Sequence, residues 1–303
     1  MDAPLLIYIM GDGRSGSTVL ATLLGNHPQV TSVGELSKWP GFEGRPKQGD
    51  DKEGLVQFWS DVLTAYQNQH TDTSFSQLVD VQNQFEDYGR LPSVLLGRTP
   101  RWAREIYHNH TIKLVRAITE VTGDNVLVDS SKRMGRAHML TRNPYVDAKV
   151  IHIVRDPRGA LWSQMKRDVE QKHKKPLQAL GHYWLKNFSC HLVSWFSRDK
   201  QVMRVRYEDL SLRSKDVLTR LEAFLGMPLE PLQEQVAADR PLVVEHLLDG
   251  NRLRRQRELR LRIDEAWRSG LSGFWKATAL LLTWPFSAVY GYWGAGNRGP
   301  AED

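Results

Sequence analysis

The chain has 303 residues with 41% hydrophobic and 25% charged content, ordinary proportions for one large or two small globular domains. Its single cysteine, Cys190, excludes an intramolecular disulfide and a cysteine-ligated metal centre, and is consistent with a reducing compartment. A formal net charge of +6 suits an anionic ligand, a nucleic acid or an acidic surface and selects none of them.

Leu5–Met10 predicts the first strand. No secretory signal fits there, because Asp2 is acidic and the apolar run is short, so a cytoplasmic location is expected. The segment Gly11-Asp-Gly-Arg-Ser-Gly-Ser-Thr18 follows, and a helix is predicted from Ser17 to Gly25. A strand, a glycine-rich turn and a helix N-terminus in that order aim backbone N–H groups and a helix dipole at an anion. The spacing nearly matches a Walker A loop. Gly11, Gly16 and Thr18 fit, but Ser17 stands at the lysine position, which leaves Arg14 as the cation within the loop.

Val30–Leu36 predicts a short second strand, and Pro40–Gly54 a surface loop placed to act as a lid. Helices are predicted over 55–69, 74–86 and 99–109. Two further strands, Asn125–Asp129 and Ala148–Val154, end in Asp129-Ser-Ser-Lys132 and Arg155-Asp-Pro157. In a doubly wound parallel sheet that edge binds ligands. Asp156 reads as an N-cap and Pro157 as the first residue of a helix reaching Asp168. A helix over 177–197, a strand at Val202–Tyr207, and helices over Ser214–Leu225 and 258–270 complete the pattern. Strands alternating with helices predict an α/β fold, a P-loop-like three-layer arrangement with a central parallel sheet flanked by helices. Residues 1–270 read as a single domain, and 271–303 as an apolar C-terminal helix with a short polar tail. Lys276 and Pro285 interrupt Phe274–Trp293, so this segment reads as a helix packed on the domain or lying on a membrane surface.

Three clusters carry chemistry. Arg14, Ser15, Gly16, Ser17 and Thr18 offer amides, hydroxyls and a guanidinium fork to an oxyanion. Arg155 and Ser163, about two helical turns further on, converge on one phosphate, or Arg155 pairs with a rim carboxylate. Asp129–Lys132 reads as a Mg²⁺-holding Walker B strand end, as a lysine beside the bridging oxygen of a leaving group, or as a capped turn.

Taken jointly, these segments resemble the sulfotransferases that use 3′-phosphoadenosine 5′-phosphosulfate (PAPS), in their bacterial and carbohydrate-type branch. The loop Arg14–Thr18 is similar to their 5′-phosphosulfate loop, and Arg155-Asp-Pro-Arg-Gly-Ala-Leu-Trp-Ser163 to their 3′-phosphate element. Asp129–Lys132, Gly34-Glu35 and Gly250-Asn-Arg-Leu-Arg254 with Asp264 and Trp267 also match, so the resemblance covers about residues 5–36, 125–165 and 245–293. It implies that Arg14, Ser15, Gly16, Ser17, Thr18, Arg155, Ser163 and Arg254 hold PAPS as co-substrate. It also implies that Glu35 is the catalytic base, that Lys132 with Arg14 stabilises the departing adenosine 3′,5′-bisphosphate (PAP), and that no metal is required. None of the ten histidines matches the base of the cytosolic small-molecule branch.

The acceptor implied is a hydroxyl on a small molecule or carbohydrate, with Trp39, Trp59, Trp102 and Tyr107 as candidate stacking residues, and no nucleic-acid partner is expected. Two other functions compete. One is a P-loop kinase or NTPase with Asp129 on Mg²⁺ and Arg14 in place of lysine. The other is a non-enzymatic binder of nucleic acid or membrane through the arginines of 252–262 and the apolar tail 274–293.

Overall fold

The computed structural model describes residues 3–47, 54–69, 73–170, 175–197, 201–249 and 256–293. Strand β1 (Leu5–Gly11) alternates strictly between two cores. Leu6, Tyr8 and Met10 enter one apolar cluster, and Ile7 and Ile9 the other. That period of two, with both faces apolar, is the signature of a central strand covered by helices on each side.

In chain order, α1 (Ser17–Leu24), β2 (Val30–Gly34), α2 (Leu55–Gln67), α3 (Phe75–Glu86), α4 (Leu91–Leu95) and α5 (Arg101–Thr122) lead to β3 (Val126–Asp129). Next come α6 (Met134–Thr141), β4 (Asp147–Val154), α7 (Pro157–Glu170), α8 (Pro176–Phe196) and β5 (Val202–Arg206). Helices α9 (Tyr207–Leu212), α10 (Ser214–Leu225) and α11 (Glu230–Ala237) precede a hairpin of β6 (Leu242–Val243) and β7 (Glu258–Leu259). Helices α12 (Trp267–Gly270), α13 (Gly273–Leu282) and α14 (Trp284–Val289) close the described chain.

The main sheet has the order β2-β3-β1-β4-β5, and every pairing is parallel. Because β1 pairs with β3 on one side and β4 on the other, the connections leave it in opposite directions. The crevice at that point, beyond the C-terminal strand ends, is where such folds bind ligands. The α/β fold with a central parallel sheet between helical layers is the expected one.

Local chemistry sets several boundaries. Ser74 caps α3 through a capping box with Gln77. Gly123, at φ 76°, terminates α5 in the left-handed region. Asp156 accepts from the Arg158 amide at 2.8 Å, the cap expected before Pro157. Three expectations need correction. The helix expected over 99–109 continues to Thr122, because its apolar face goes on through Ile112, Val115 and Ile118 against the sheet. The strand expected to reach Leu36 stops at Gly34, where Glu35 turns into a 3₁₀ turn. The helix expected over 258–270 is absent. Glu258–Leu259 instead pairs antiparallel with Leu242–Val243, and only Trp267–Gly270 is helical. Arg260 and Arg262 there both pair with Asp239. Arg254 and the rest of Gly250–Arg255 lie outside the described residues, as do residues 48–53 of the candidate lid, whose first part, Pro40–Phe42, is a 3₁₀ turn with Pro40 buried.

The segment after 270 breaks at Thr283, next to Pro285, into α13 and α14. Tyr290 and Tyr292 are buried with Val154, Ala160 and Tyr183, and Leu271 and Ala279 with Leu161 and Leu180. Among the described residues, no helix is long and apolar enough to cross a membrane.

Candidate active site

The loop after β1 is held by its own backbone and by the far side of the sheet edge. Ser15 is buried, and both its amide and its hydroxyl donate to the Asp12 carbonyl, at 3.3 and 2.7 Å. Gly16 sits at φ 98°, and a Cβ there would come within 2.2 Å of the Tyr207 ring. No other residue type fits, so the close approach of β5's end to this loop dictates the glycine. Arg14 adopts φ 78°, an uncommon conformation for a residue with a side chain. The first-turn amides of α1, starting at Ser17, have no carbonyl four residues earlier inside the helix.

A second unit joins the ends of β2 and β3. Gly34, at φ 73°, packs so tightly on the 247–249 backbone that a Cβ would lie 2.6 Å from the Asp249 carbonyl oxygen. Glu35 follows directly, its amide donating to that same carbonyl at 3.3 Å. Asp129 is completely buried at the end of β3. Its Oδ1 accepts from the Ser131 amide, the Ser131 hydroxyl and the Leu36 amide, and its Oδ2 from Arg136 Nε at 2.8 Å. Ser131 Oγ in turn accepts from the Ser37 amide at 2.9 Å. The Asp-Ser-Ser-Lys turn is thus stitched to Glu35–Ser37. This turn puts Lys132 at φ 59° with Nζ 2.6 Å from Glu35 Oε1 and 2.8 Å from the Ser130 carbonyl. Asp129 has both oxygens committed inside the protein, which removes the Walker B reading: the carboxylate is a structural post, not a ligand for Mg²⁺.

Both units open into one cavity of about 270 Å³. Arg14, Gly16, Ser17, Thr18, Glu35 and Lys132 line it, together with Pro157, Ala160 and Leu161 of α7 and Leu180, Tyr183 and Lys186 of α8. Lys186 pairs with Asp12 at 3.3 Å, and burial still pushes the Asp12 carboxyl above the usual carboxylate range. Neither residue was singled out in the sequence. Asp12 lies inside the loop motif and was legible, whereas Lys186 stands mid-helix with no motif around it.

Arg155 and Ser163 do not line this cavity. Arg155 lies beside it. Its Nη1 donates to the Arg14 carbonyl at 3.0 Å and its Nη2 to the Asp264 carbonyl and carboxylate, each at 3.2 Å. The guanidinium carbon stacks 4.5 Å from the Tyr207 ring centre. Gly159 leaves room for it, since a Cβ there would approach Arg155 Nε to 3.1 Å. Arg155 therefore takes the rim-carboxylate option, with Asp264 as partner rather than Asp156, which instead grips Arg158. Ser163 is half-buried two turns into α7. The turn is braced from below: Tyr183 Oη donates to the Arg155 carbonyl, Glu208 accepts from the Asp156 amide, and Tyr292 donates to Glu208 at 2.6 Å. Of the aromatics expected to face the acceptor, Trp39, Trp59 and Tyr107 are core and Trp102 is exposed on α5; none lines the cavity.

A family model described as "Sulfotransferase family" matches residues 4–231. The chain belongs to the sulfotransferase family. Solved structures agree in fold. The sulfotransferase domain of the Synechococcus PCC 7002 olefin synthase aligns with a TM-score of 0.52 and 21% identity, over 95% of this chain and 96% of that one. The sulfotransferase domain from the curacin biosynthetic pathway aligns with a TM-score of 0.51 and 19% identity, over 93% and 98%. Sulfotransferase STF9 from Mycobacterium avium gives 0.50 and 14%, over 95% of this chain and 77% of its own. No curated protein matches the sequence. The neighbours share the fold of this sulfotransferase; at these identities they say nothing of its acceptor. Among the described residues, no cluster of three or more histidine, cysteine or carboxylate side chains is arranged to hold a metal ion.

Proposed function

We propose that this sulfotransferase moves the sulfuryl group of PAPS to a hydroxyl of a small-molecule or carbohydrate acceptor. One observation carries the reading: a carboxylate and a lysine, Glu35 and Lys132, meet at 2.6 Å in the same cavity as the anion-binding loop Arg14–Thr18. The donor set fits a phosphosulfate, with helix-start amides, the Ser17 and Thr18 hydroxyls and the cations Arg14, Lys132 and Lys186 around one space. PAPS bound there supplies the sulfuryl group to be transferred.

The residues then divide the work. Glu35 takes the proton of the acceptor hydroxyl as its oxygen attacks. An ammonium has three hydrogens. Lys132 directs two at Glu35 and the Ser130 carbonyl, and the third remains for the oxygen that departs with PAP. The loop amides hold the group in line, so catalysis rests on position and charge rather than on a metal. Arg155, with Ser163 and Arg254, receives the 3′-phosphate. The kinase reading loses its metal ligand with Asp129 buried.

Thermal unfolding tests the donor. PAP in EDTA should raise the midpoint, and ATP with Mg²⁺ in EDTA-free buffer should not; the reverse ranking would overturn the assignment. Glu35→Gln tests the chemistry. It should bind PAP normally while PAP release from PAPS in the presence of hydroxyl acceptors falls by about a hundredfold or more.

A further inference from the structure

Outside the cavity, the most unusual surface is shared by α8 and the α13–α14 segment. Twelve of the eighteen large hydrophobic side chains exposed among the described residues lie in α8 or between Gly273 and Trp293. The two parts adjoin. The Trp184 ring lies 5.5 Å from Phe286, and Tyr290 Oη donates to Asn187 at 3.1 Å. On α8, Trp184 stacks on Phe188 at 5.1 Å, and Trp195, two turns beyond Phe188, is 83% exposed. On the partner segment Leu281 and Trp284 are 62% and 61% exposed. α8 spans about 31 Å at 1.5 Å per residue, so the apolar band is far longer than a small-ligand cleft. Isolated exposed apolar residues are ordinary, but a contiguous band of this size marks an interaction surface.

Charge selects the occupant. Neither 175–197 nor 266–293 contains a single aspartate or glutamate. Cations mark the ends: Lys175 is exposed before α8, Arg142 donates to the Phe196 carbonyl at its far end, and Lys276 reaches the Arg268 carbonyl beside α13. A second copy of the chain would set cations against cations, since the one carboxylate at this edge, Glu265, is already paired with Arg268 and an isologous contact repeats one patch on itself. An anionic lipid surface supplies both missing complements, acyl chains for the leucines and phenylalanines and negative headgroups for the cations. Tryptophan is the side chain that favours the headgroup boundary.

We propose that the carboxylate-free apolar face of α8 and α13–α14 docks this sulfotransferase onto an anionic bilayer, as a peripheral contact without a spanning helix. The inference stands on this surface and does not require the catalytic assignments above. It does give the cavity a setting, since Leu180, Tyr183 and Lys186 line the cavity from the same helix, which is about 10 Å across.

Sedimentation of the full chain with vesicles of phosphatidylcholine containing 30 mol% phosphatidylglycerol (about a third anionic, enough for a strong surface field) tests the proposal against pure phosphatidylcholine. Binding should be stronger to the anionic vesicles and should weaken in 1 M NaCl, where the Debye length is about 3 Å. The triple variant Trp195→Ser, Leu281→Ser, Trp284→Ser changes only strongly exposed side chains. It should keep the thermal midpoint and PAP response of the wild type and lose about tenfold or more in partitioning. Wild-type protein that ignores both vesicles, or a triple variant that binds as well as wild type, overturns the proposal. So does equal binding to the two vesicle types, which removes the anionic requirement. A wild-type dimer in sedimentation velocity that the triple variant converts to monomer assigns the face to a second copy instead.

Discussion

Replacing Arg155 by lysine separates the two ends of the nucleotide. Arg155 has five N–H groups. Three contacts to Arg14 and Asp264 engage its two Nη atoms in the ligand-free protein. A 3′-phosphate arriving there displaces the Asp264 carboxylate, whose side chain is 40% exposed and free to turn to solvent. The guanidinium then presents two charge-assisted hydrogen bonds, each worth about 1.5–3 kcal/mol. Lysine keeps the charge and at most one of them, a net loss of about 2 kcal/mol, or about thirtyfold in Kd. Arg155→Lys also loses the Tyr207 stack and the bond to the Arg14 carbonyl, so stability should fall by about 1–2 kcal/mol. Titration calorimetry with PAP reads the first effect, and urea unfolding reads the second. Adenosine 5′-monophosphate, which lacks the 3′-phosphate, is the control: its weaker binding should be unchanged within a factor of about three. If Arg155→Lys binds PAP as tightly as wild type, or loses both nucleotides equally, the 3′-phosphate does not sit on this arginine.

Gly16→Ala forces a Cβ to within 2.2 Å of Tyr207 at φ 98°, so urea unfolding should show a loss of about 2–3 kcal/mol and PAP should no longer raise the midpoint. Arg136→Met strands the buried carboxylates of Asp129 and Glu86, which now share one guanidinium, and should cost about 3–5 kcal/mol by the same assay. Acid should destabilise the protein through buried histidines. Burial pushes His110 and His152 down to about 3 and His138 to about 4, below an unfolded value near 6.5. A depressed histidine pKa means that the unfolded chain binds more protons, so stability is lost as pH falls below about 6.5, by up to about 1.4 kcal/mol per unit for each histidine. Asp12, Glu86 and Glu208, whose carboxyls burial pushes up, act in the opposite sense, but burial also pushes down His27, His108, His191 and His246, so the histidines outnumber them seven to three. Unfolding free energies at pH 7 and 5 should therefore differ in favour of pH 7, and His152→Gln should reduce that slope by up to about 1.4 kcal/mol per pH unit. A slope unchanged by the substitution contradicts the assignment.

The alternation of Leu6, Ile7, Tyr8, Ile9 and Met10, the glycine-rich turn and the Asp156-Pro157 helix start are properties of neighbouring residues, and they fixed the α/β architecture and the sheet edge that carries the site. Local spacing singled out Arg14–Thr18 and Lys132 as candidates, and the family resemblance added Glu35; each lies at a strand end where a parallel sheet gathers its loops. Reach along the chain was less legible. The 258–270 segment has helical spacing, yet its start is taken by a strand partner, Leu242–Val243, that no local pattern names. Tertiary contact alone turned Asp129 inward onto Arg136, paired Arg155 with Asp264 across 109 positions, and brought Lys186 to Asp12. Those choices depend on which distant groups share a desolvated space. A carboxylate's role as ligand, post or partner is decided by the charges that burial brings to it, and sequence distance carries no record of them.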